Sequence, residues 1–425
     1  MKILVISNNC FAKNNSNGRI LGCLFKNIPV DDVAQFYIVN GTNDFEVCQN
    51  YYHVSDSMAI RSWYSGKGIG NIITDPSEVS TYVQEMSIHR AKYGRTPLTM
   101  LCRNIIWARN GWFNKKLKSW LSDFNPDVIV LQAGDAPFMY ATARKMAKFL
   151  NKPLVLFNTE YYYFVDYNYI NRKDNSLLYR LFRTILRKNI RKAISYAEIS
   201  VYNSDWLKEQ YDNEFHTPST VIYQSSESVP TKRHNHNNPP KIIYAGGLGY
   251  KRYEPLSEIA EALYTINNSY KLTVYGMAQT EKAKEILNNT NGLDYKGVVP
   301  YSEVLEKINS SDLLVLAEST SPIISRLTAY GFSTKITDYL CSGIPIFGYG
   351  PDINVGLSYL KKHKAAQVVS SLSGLKEGLI KILEDIDYRK KVVDNAITLA
   401  KKNHNASDNS NRFIEILNKV IRHEI

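Results

Sequence analysis

Short apolar runs alternate with segments whose apolar residues recur at helical spacing, and this pattern extends along nearly the whole chain. Runs that predict buried strands occupy residues 2–7, 35–40, 127–132, 153–158, 199–204, 241–245, 271–275, 294–298, 312–317 and 344–347. Segments that predict helices include 20–25, 140–150, 178–194, 206–211, 255–265, 280–288, 302–308, 374–385, 388–402 and 409–423. Continuous apolar runs are typical of parallel strands that are buried on both faces. The alternation of strands and helices therefore predicts an α/β protein.

A polar, proline-containing stretch interrupts this pattern near the middle of the chain. Residues 225–240 read SSESVPTKRHNHNNPP and show neither helical nor strand periodicity, as expected of a linker. We therefore predict an N-terminal domain at 1–225, a linker at 226–240 and a C-terminal domain at 241–404. The final segment, 405–425, is expected to be a helix that crosses back to the N-terminal domain. A chain of 425 residues is long enough to give each domain its own core.

The composition predicts the cellular compartment of the protein and suggests an anionic partner. The five cysteines are scattered and odd in number, which predicts free thiols in a reducing cytosol and no disulfide framework. No run reaches the ~20 apolar residues that a membrane-spanning helix needs. The formal net charge of +12 requires either an anionic partner or an explanation through solubility.

The segment 331–351 carries the clearest candidate chemistry. Its pattern predicts a helix that starts at Ser333 or Thr334, whose side chains can cap the first turn. Lys335 adds a positive charge at the helix N-terminus, which is favourable only if an anion binds there. Asp338 follows one turn later and can accept hydrogen bonds from the two hydroxyls of a ribose. The alternative is an ordinary amphipathic helix with a surface lysine and a surface aspartate.

Several predicted strands are followed by loops that contain glycine. These glycines are Gly18, Gly246, Gly247 and Gly276. The turn at 246–252 ends in two cations, Lys251 and Arg252, and a helix follows it. A strand, a glycine turn and a helix N-terminus together form a candidate cradle for phosphate, because backbone N–H groups point at the ligand there.

Three carboxylates also lie just past the ends of predicted strands: Asp135, Glu160 and Glu318. In open α/β sheets, ligands bind at the edge formed by the carboxyl ends of the strands. We therefore take these three side chains as candidate catalytic groups. The alternative for each of them is a solvated carboxylate in a loop.

Two segments of the first half are strongly basic. Residues 95–122 contain six basic side chains and no acidic one, interleaved with Trp, Phe and Leu, and residues 178–192 form a helix with a basic face. The default interpretation is that these helices pack on the core and keep a basic outer face. The sharper interpretation is an interfacial helix that meets anionic lipid.

A series of short motifs follows in fixed order through the second half. The series consists of Tyr244-Ala245-Gly246-Gly247-Leu248, the cations at 251–252, Val274-Tyr275-Gly276, and the segments 297–304, 311–315 and 333–345. This order and spacing resemble glycosyltransferase family 4, whose members have the GT-B fold. The resemblance covers residues 241–400 well and residues 1–220 at the level of the fold only. It implies an α/β protein in which two Rossmann-like domains face a cleft.

The resemblance also implies that the second domain binds a nucleotide-diphosphate sugar. Lys335 and Arg252 (or Lys251) would then bind the diphosphate, and Asp338 would bind the ribose hydroxyls. Gly18 lies in a predicted loop of the first domain that would face the donor and the acceptor.

This sequence departs from the family pattern at two positions. Gly247 stands where many relatives have an arginine, and Tyr330 stands where the first glutamate of the family's glutamate pair would be. The second departure leaves the catalytic carboxylate open, because a tyrosine does not supply an anion near neutral pH. We assign Glu318 to the donor side of the reaction and Glu160 to the acceptor side, as a base or a hydroxyl ligand.

From these features we expect a glycosyltransferase (EC 2.4 type) that moves a sugar from a nucleotide-diphosphate sugar to a lipid-linked saccharide acceptor. The setting would be capsule, O-antigen or exopolysaccharide synthesis, and the reaction would retain the anomeric configuration. We expect no metal and no other cofactor, because lysine and arginine can neutralise the leaving diphosphate. The protein would be cytoplasmic and would associate peripherally with the anionic inner face of the membrane.

Three other functions remain compatible with the sequence. The same fold hosts non-hydrolysing sugar-nucleotide epimerases, which differ in needing no acceptor. A basic nucleic-acid-binding protein would use the charge at 95–122, but the sequence carries no RNA- or DNA-binding signature, and we expect no nucleic-acid partner. The third alternative is a catalytically inactive, sugar-binding relative.

Overall fold

The structure is a computed structural model, and it describes residues 1–13, 16–65, 69–74, 95–165, 167–170, 176–228, 230–232 and 237–425. The chain forms two compact units. Unit 1 comprises Met1–Tyr223 together with Ala406–Ile425, and unit 2 comprises Gln224–Asn405. Positions 229 and 233–236 of the predicted linker lie outside the described residues.

Unit 1 is built on a sheet of eight strands. They are β1 (Ile3–Asn9), β2 (Val33–Val39), β3 (Asn50–His53), β4 (Asn71–Ile73), β5 (Val128–Gln132), β6 (Leu154–Asn158), β7 (Ile199–Tyr202) and β8 (Ser219–Val221). Their order across the sheet is β4-β3-β2-β1-β5-β6-β7-β8, and only the β3–β4 pair is antiparallel. The central strands are buried on both faces, which explains their uninterrupted apolar sequences.

Helices cover the two faces of this sheet. They are α1 (Ser16–Leu24), α2 (Asp56–Ser65), α3 (Pro97–Ala108), α4 (Lys115–Phe124), α5 (Pro137–Leu150), α6 (Leu177–Ile194) and α7 (Asp205–Phe215). The segment 95–122 forms α3 and most of α4, and its residues Trp107, Leu117, Trp120 and Leu121 are buried in the core. These four side chains pack on the core, as in the default interpretation, whereas Leu98 and Ile105 of the same segment are exposed.

Unit 2 contains a six-stranded, fully parallel sheet. Its strands are β9 (Lys241–Ala245), β10 (Lys271–Tyr275), β11 (Leu293–Gly297), β12 (Leu313–Ala317), β13 (Ile346–Tyr349) and β14 (Gln367–Val369), in the order β11-β10-β9-β12-β13-β14. The order reverses direction between β9 and β12. Ligands bind at such a switch point in open α/β sheets, because the connections leave it to opposite sides.

The helices of unit 2 follow the predicted alternation with strands. They are α8 (Tyr253–Ile266), α9 (Glu281–Asn289), α10 (Tyr301–Asn309), α11 (Pro322–Thr328), α12 (Thr334–Ser342), α13 (Val355–Lys362), α14 (Leu375–Glu384) and α15 (Ile386–Asn403). The sequence pattern predicts a long loop at 319–330, and this is wrong, because α11 occupies most of it. The helix is only seven residues long and starts with a proline, so it gives little periodic signal.

The last helix, α16 (Ala406–Ile421), belongs to unit 1. It packs against the end of α1. The ring of Phe413 meets that of Phe25 edge-on at 5.7 Å, and Ser410 Oγ donates a hydrogen bond to the carbonyl oxygen of Leu24 at 2.9 Å. Within the described part of the chain, no helix is both long enough and apolar enough to cross a membrane.

Candidate active site

The carboxyl ends of β9 and β10 meet through two glycines. A Cβ atom on Gly276 would lie only 2.0 Å from the carbonyl oxygen of Gly246, so no other residue fits at position 276 without movement of the backbone. The backbone N–H of Gly246 donates to Tyr275 O at 2.9 Å, and that of Gly276 donates to Gly297 O at 2.7 Å. The glycines therefore let three strand ends converge at the binding edge of the sheet.

The turn after β9 reverses the chain over this edge. Tyr250 and Lys251 both adopt left-handed backbone conformations, with φ of +58° and +56°. Two such non-glycine residues in succession are uncommon and mark a functional or strongly constrained turn. Lys251 then pairs with Glu254 in the first turn of α8, at 3.1 Å. Of the two predicted cations, Arg252 is thus the one that the turn directs back over the sheet.

Arg252 forms a buried ion pair with Glu318, which directly follows β12. Arg252 Nε donates to Glu318 Oε2 at 3.1 Å, and Arg252 Nη2 donates to Oε1 and Oε2 at 3.1 and 2.9 Å. Only 3% of the Glu318 side chain and 16% of the Arg252 side chain are exposed. The structure thus joins a predicted phosphate ligand to a predicted catalytic carboxylate.

Helix α12 starts beside the same edge. Ser333 occupies the N-cap position, but its side chain makes no capping hydrogen bond, contrary to the expectation from the sequence. The helix is held by Tyr339 instead, whose hydroxyl oxygen accepts a hydrogen bond from the backbone N–H of Ala245 at 3.1 Å. Lys335 lies one turn before Tyr339, and together with Asp338 it lies on the half-buried face of the helix.

Lys335 extends along the end of β9. A Cβ atom on Gly246 would lie 2.6 Å from Lys335 Cδ, and Lys335 Nζ lies 5.2 Å from the centre of the Tyr244 ring. Desolvation and the charge of Arg252 lower the pKa of Lys335 from 10.5 to about 8, against an opposing effect of Glu318. The structure therefore brings two cations and one carboxylate together at a glycine-lined edge, and their net positive charge is suited to an anion.

A second cluster lies at the carboxyl edge of the sheet in unit 1. Asp135, just after β5, is buried and forms an ion pair with Arg95. Gly134 precedes it and packs against Asn8 of β1, since a Cβ atom on Gly134 would lie 2.7 Å from Asn8 Nδ2. Asn8 Oδ1 is buried and has no hydrogen-bond partner among the described residues.

Glu160, which follows β6, belongs to the same cluster. Desolvation and, to a smaller extent, the charge of Asp135 raise the pKa of Glu160 from 4.5 to about 7, although Glu160 is exposed to solvent. Tyr162 lies near both carboxylates and Tyr169 lies near Asp135, with the two ring centres 5.4 Å apart. Tyr169 OH has no hydrogen-bond partner in the described part of the chain. The cluster can thus exchange a proton near neutral pH and offers unpaired polar atoms to hydroxyl groups.

The structure moves one predicted site residue into a helix and leaves another, Gly247, in an exposed turn, where its carbonyl oxygen accepts a hydrogen bond from Tyr244 OH at 2.8 Å. Gly18 lies inside α1 and not in a loop, and it is needed for packing, because a Cβ atom there would come within 2.6 Å of Cys10 O. Gly247 is exposed, and a Cβ atom there would meet nothing within 4 Å. Among the residues that the structure describes, no group of three His, Cys, Asp or Glu side chains is arranged to hold a metal ion.

Sequence reasoning missed Arg95, Tyr169 and Asn8 as members of the unit 1 cluster. Only Asn8 carries a signal, since it is a polar residue near the end of the first strand and therefore lies at the binding edge. Arg95 and Tyr169 reach the cluster from loops, and their positions depend on contacts distant in the sequence.

No protein-family model matches the sequence, and no curated protein matches it. Several solved structures resemble it in fold. The crystal structure of Anabaena HepE in complex with UDP has a TM-score of 0.64 and 12% identity, covering 99% of this chain and 100% of that one. Sucrose-phosphate synthase from Thermosynechococcus elongatus has a TM-score of 0.63 and 10% identity, with full coverage of both chains.

A third match is the lipopolysaccharide outer core galactosyltransferase WaaB, with a TM-score of 0.56, 13% identity and full coverage of both chains. HepE has also been crystallised with UDP-glucose, and with UDP and glucose. These likenesses extend over both units. The α/β chain with two Rossmann-like units therefore has the GT-B fold, as expected from the sequence.

Proposed function

We propose that this protein is a glycosyltransferase that moves a sugar from a nucleotide-diphosphate sugar to a saccharide acceptor. The observation that carries the proposal is the convergence of Arg252 and Lys335 on the glycine-lined switch point of unit 2. The fold supports it, because HepE, which shares this fold, binds UDP and UDP-glucose.

On the donor side, Lys335 and Arg252 neutralise the charge that develops on the diphosphate as the bond to the sugar breaks. Fixed cations in a partly desolvated site stabilise such charge without reorganisation. Ser333, Thr334 and Gly247 add backbone N–H groups. Gly246 and Gly276 contribute through the close approach of the strand ends, because their own N–H groups bond to Tyr275 O and Gly297 O. Asp338, one turn after Lys335, binds the ribose hydroxyls. We expect this chemistry to need no metal, so that EDTA leaves the rate unchanged.

On the acceptor side, Glu160 accepts a hydrogen bond from the attacking hydroxyl and takes its proton. A base with a pKa of about 7 is half ionised near neutral pH, which is the condition for efficient proton transfer. Asp135 tunes this base through its charge and is itself held by Arg95. Retention of the anomeric configuration is proposed from the family resemblance. It requires that the acceptor hydroxyl attack on the face of the sugar from which the diphosphate departs, and the anomeric proton coupling of the product tests it.

The acceptor is proposed to be lipid-linked, as in the synthesis of a surface polysaccharide, and the support comes from unit 1. Helices α3 and α6 lie against each other, and each exposes large apolar side chains. We take these side chains together as one apolar patch, which consists of Leu98, Ile105, Leu177, Leu178 and Leu181. Leu177 is 80% exposed, and Arg180 and Lys188 of α6 are exposed alongside it. Exposed leucines beside cations fit an anionic membrane surface, because lipid tails and headgroups satisfy both.

The experiment that tests the proposal is a thermal-shift panel of nucleotide sugars, followed by turnover with and without saccharide acceptors. A bound donor raises the melting temperature by mass action. Donor consumption that depends on an acceptor supports the glycosyltransferase. Sugar isomerisation without any acceptor identifies an epimerase instead, and no shift with any nucleotide sugar overturns the proposed donor site.

A further inference from the structure

The ion pair between Arg252 and Glu318 uses only one edge of the guanidinium. Nε and Nη2 contact the carboxylate at 2.9–3.1 Å, whereas Nη1 has no hydrogen-bond partner among the described residues. The guanidinium is planar, with five donors in a fixed fork. An anion can therefore be bound through Nη1 while the pair with Glu318 stays intact.

Glu318 has little freedom to leave this position. Its backbone N–H donates to Tyr349 O at 2.9 Å, and a Cβ atom added to Gly350 would lie 3.0 Å from Glu318 Cβ, so the chain is closely packed around it. Contact between Glu318 and a substrate sugar would require the release of Arg252. Removal of one partner from a buried ion pair is strongly unfavourable, because an uncompensated charge remains.

A third charge connects this pair to the rest of the site. After desolvation, the charge of Arg252 is the second cause that lowers the pKa of Lys335, and the charge of Glu318 opposes this effect. Glu318 thus allows two cations to be held at one strand edge before a diphosphate arrives.

We propose that Glu318 is a positioning residue, which orients the guanidinium of Arg252 so that Nη1 faces the diphosphate of the donor. This inference rests on the proposed function, and it replaces direct contact between Glu318 and the sugar with an action through Arg252. The missing family glutamate at Tyr330 is then not substituted by Glu318.

Titrations with nucleoside diphosphates test the inference, because these ligands carry the phosphates but no sugar. UDP, GDP, ADP and CDP are titrated into the wild-type protein, and the tightest of them is used with the variants. Glu318→Asp is the informative change, since it keeps the charge and shortens the side chain by one methylene. We expect it to weaken diphosphate binding about tenfold, the factor set by one displaced charge-assisted contact. Binding of the matching nucleoside should not change.

The coupling to Arg252 is measured in a double-mutant cycle. In an Arg252→Ala background, Glu318→Asp should cause no further loss of diphosphate affinity. The double variant Arg252→Ala/Glu318→Ala leaves no unpaired buried charge. It therefore provides the measurement of diphosphate affinity without Arg252 if Arg252→Ala alone does not fold. Glu318→Gln adds a readout that a purely structural role would not change, because loss of the negative charge should shift the alkaline loss of diphosphate binding to lower pH.

The outcomes separate this inference from the proposed function. If the wild-type protein binds no nucleoside diphosphate, both are overturned. If it binds one and Glu318→Asp binds it equally well, or if the Glu318→Asp loss persists at full size without Arg252, only the positioning role is overturned.

Discussion

The side-chain stem of Lys335 passes directly over the α-carbon of Gly246. A Cβ atom at position 246 would come within 2.6 Å of Lys335 Cδ and 3.0 Å of Nζ. Tyr339 fixes α12 against the end of β9 through Ala245, so the lysine has a defined path across the strand end. This contact places an ammonium group at the switch point of unit 2 and makes it the first candidate ligand of a donor diphosphate.

Lys335→Ala should weaken binding of a nucleoside diphosphate by about 1.5–3 kcal/mol, the usual size of a lost charge-assisted contact. The matched control is Lys251→Ala, because Lys251 lies in the same turn system but pairs with Glu254. The control should bind within about twofold of wild type, as is usual for a surface charge. Calorimetric titration measures both. Unchanged diphosphate binding in Lys335→Ala would show that the cradle is elsewhere, and an equally large loss in Lys251→Ala would show that the effect is not specific to Lys335.

The pH dependence of this binding follows from the lowered pKa of Lys335. The protonated ammonium is the form that attracts the diphosphate, and it is lost as pH rises through about 8 in the ligand-free protein. Above that pH, affinity should fall by up to about tenfold per pH unit, until the pKa of Lys335 in the complex is reached.

Titrations between pH 7 and pH 9 measure this fall. Lys335→Arg should remove it, because an arginine stays protonated over the whole range. Diphosphate affinity that is constant with pH in the wild-type protein would mean that Lys335 does not contact the phosphates.

The sequence predicted the central strands well, because a strand buried on both faces is apolar at every position. Strands β9 and β12 illustrate this, since their predicted runs match the observed strands to within one residue. The short edge strands β4, β8 and β14 were not predicted. Each has only three residues, which are too few to display a period.

The candidate site was predicted as separate residues rather than as contacts. Arg252 and Glu318 were both selected because each follows a strand, but their pairing depends on β9 and β12 being neighbours in the sheet. Strand order is a property of the whole fold, and the alternation of strands and helices does not specify it. Arg95 was not connected with Asp135 because it reaches the cluster from a loop, and its position depends on contacts distant in the sequence.

Two glycines of the donor edge should respond differently to alanine. In Gly276→Ala the new methyl group would overlap Gly246 O at 2.0 Å, so the turn must move. We expect a loss of about 1–3 kcal/mol in the free energy of unfolding, typical of overpacking, together with weaker diphosphate binding. Gly247→Ala has open space and should change stability by less than about 0.5 kcal/mol. Thermal unfolding measures the stability of both variants. Similar stabilities would contradict the close approach of Gly276 to Gly246 O.

Titration of Glu160 should produce an acidic limb in the dependence of the reaction rate on pH. The carboxylate is the form that accepts a proton, so the rate should rise with pH and reach half its plateau near pH 7. Glu160→Gln should lower kcat and abolish this rise. Asp135→Asn removes the neighbouring charge that raises the pKa of Glu160, so its limb should shift to lower pH. An unchanged limb in Glu160→Gln would assign the titration to another group.

Through the apolar patch on α3 and α6, the protein should bind anionic vesicles but not neutral vesicles. Arg180 and Lys188 each contribute about 1 kcal/mol if they lie near an anionic surface, so their joint replacement by alanine should cost about 2 kcal/mol of membrane affinity.

Leu177→Asp with Leu181→Asp should remove the insertion of apolar side chains, which salt alone does not reverse. Leu372→Asp is the matched control, because Leu372 is 63% exposed but lies in unit 2. Co-sedimentation with phosphatidylglycerol and phosphatidylcholine vesicles measures each effect. Equal binding to the two lipids, or an equal loss in the Leu372 control, would show that this patch is not the membrane contact.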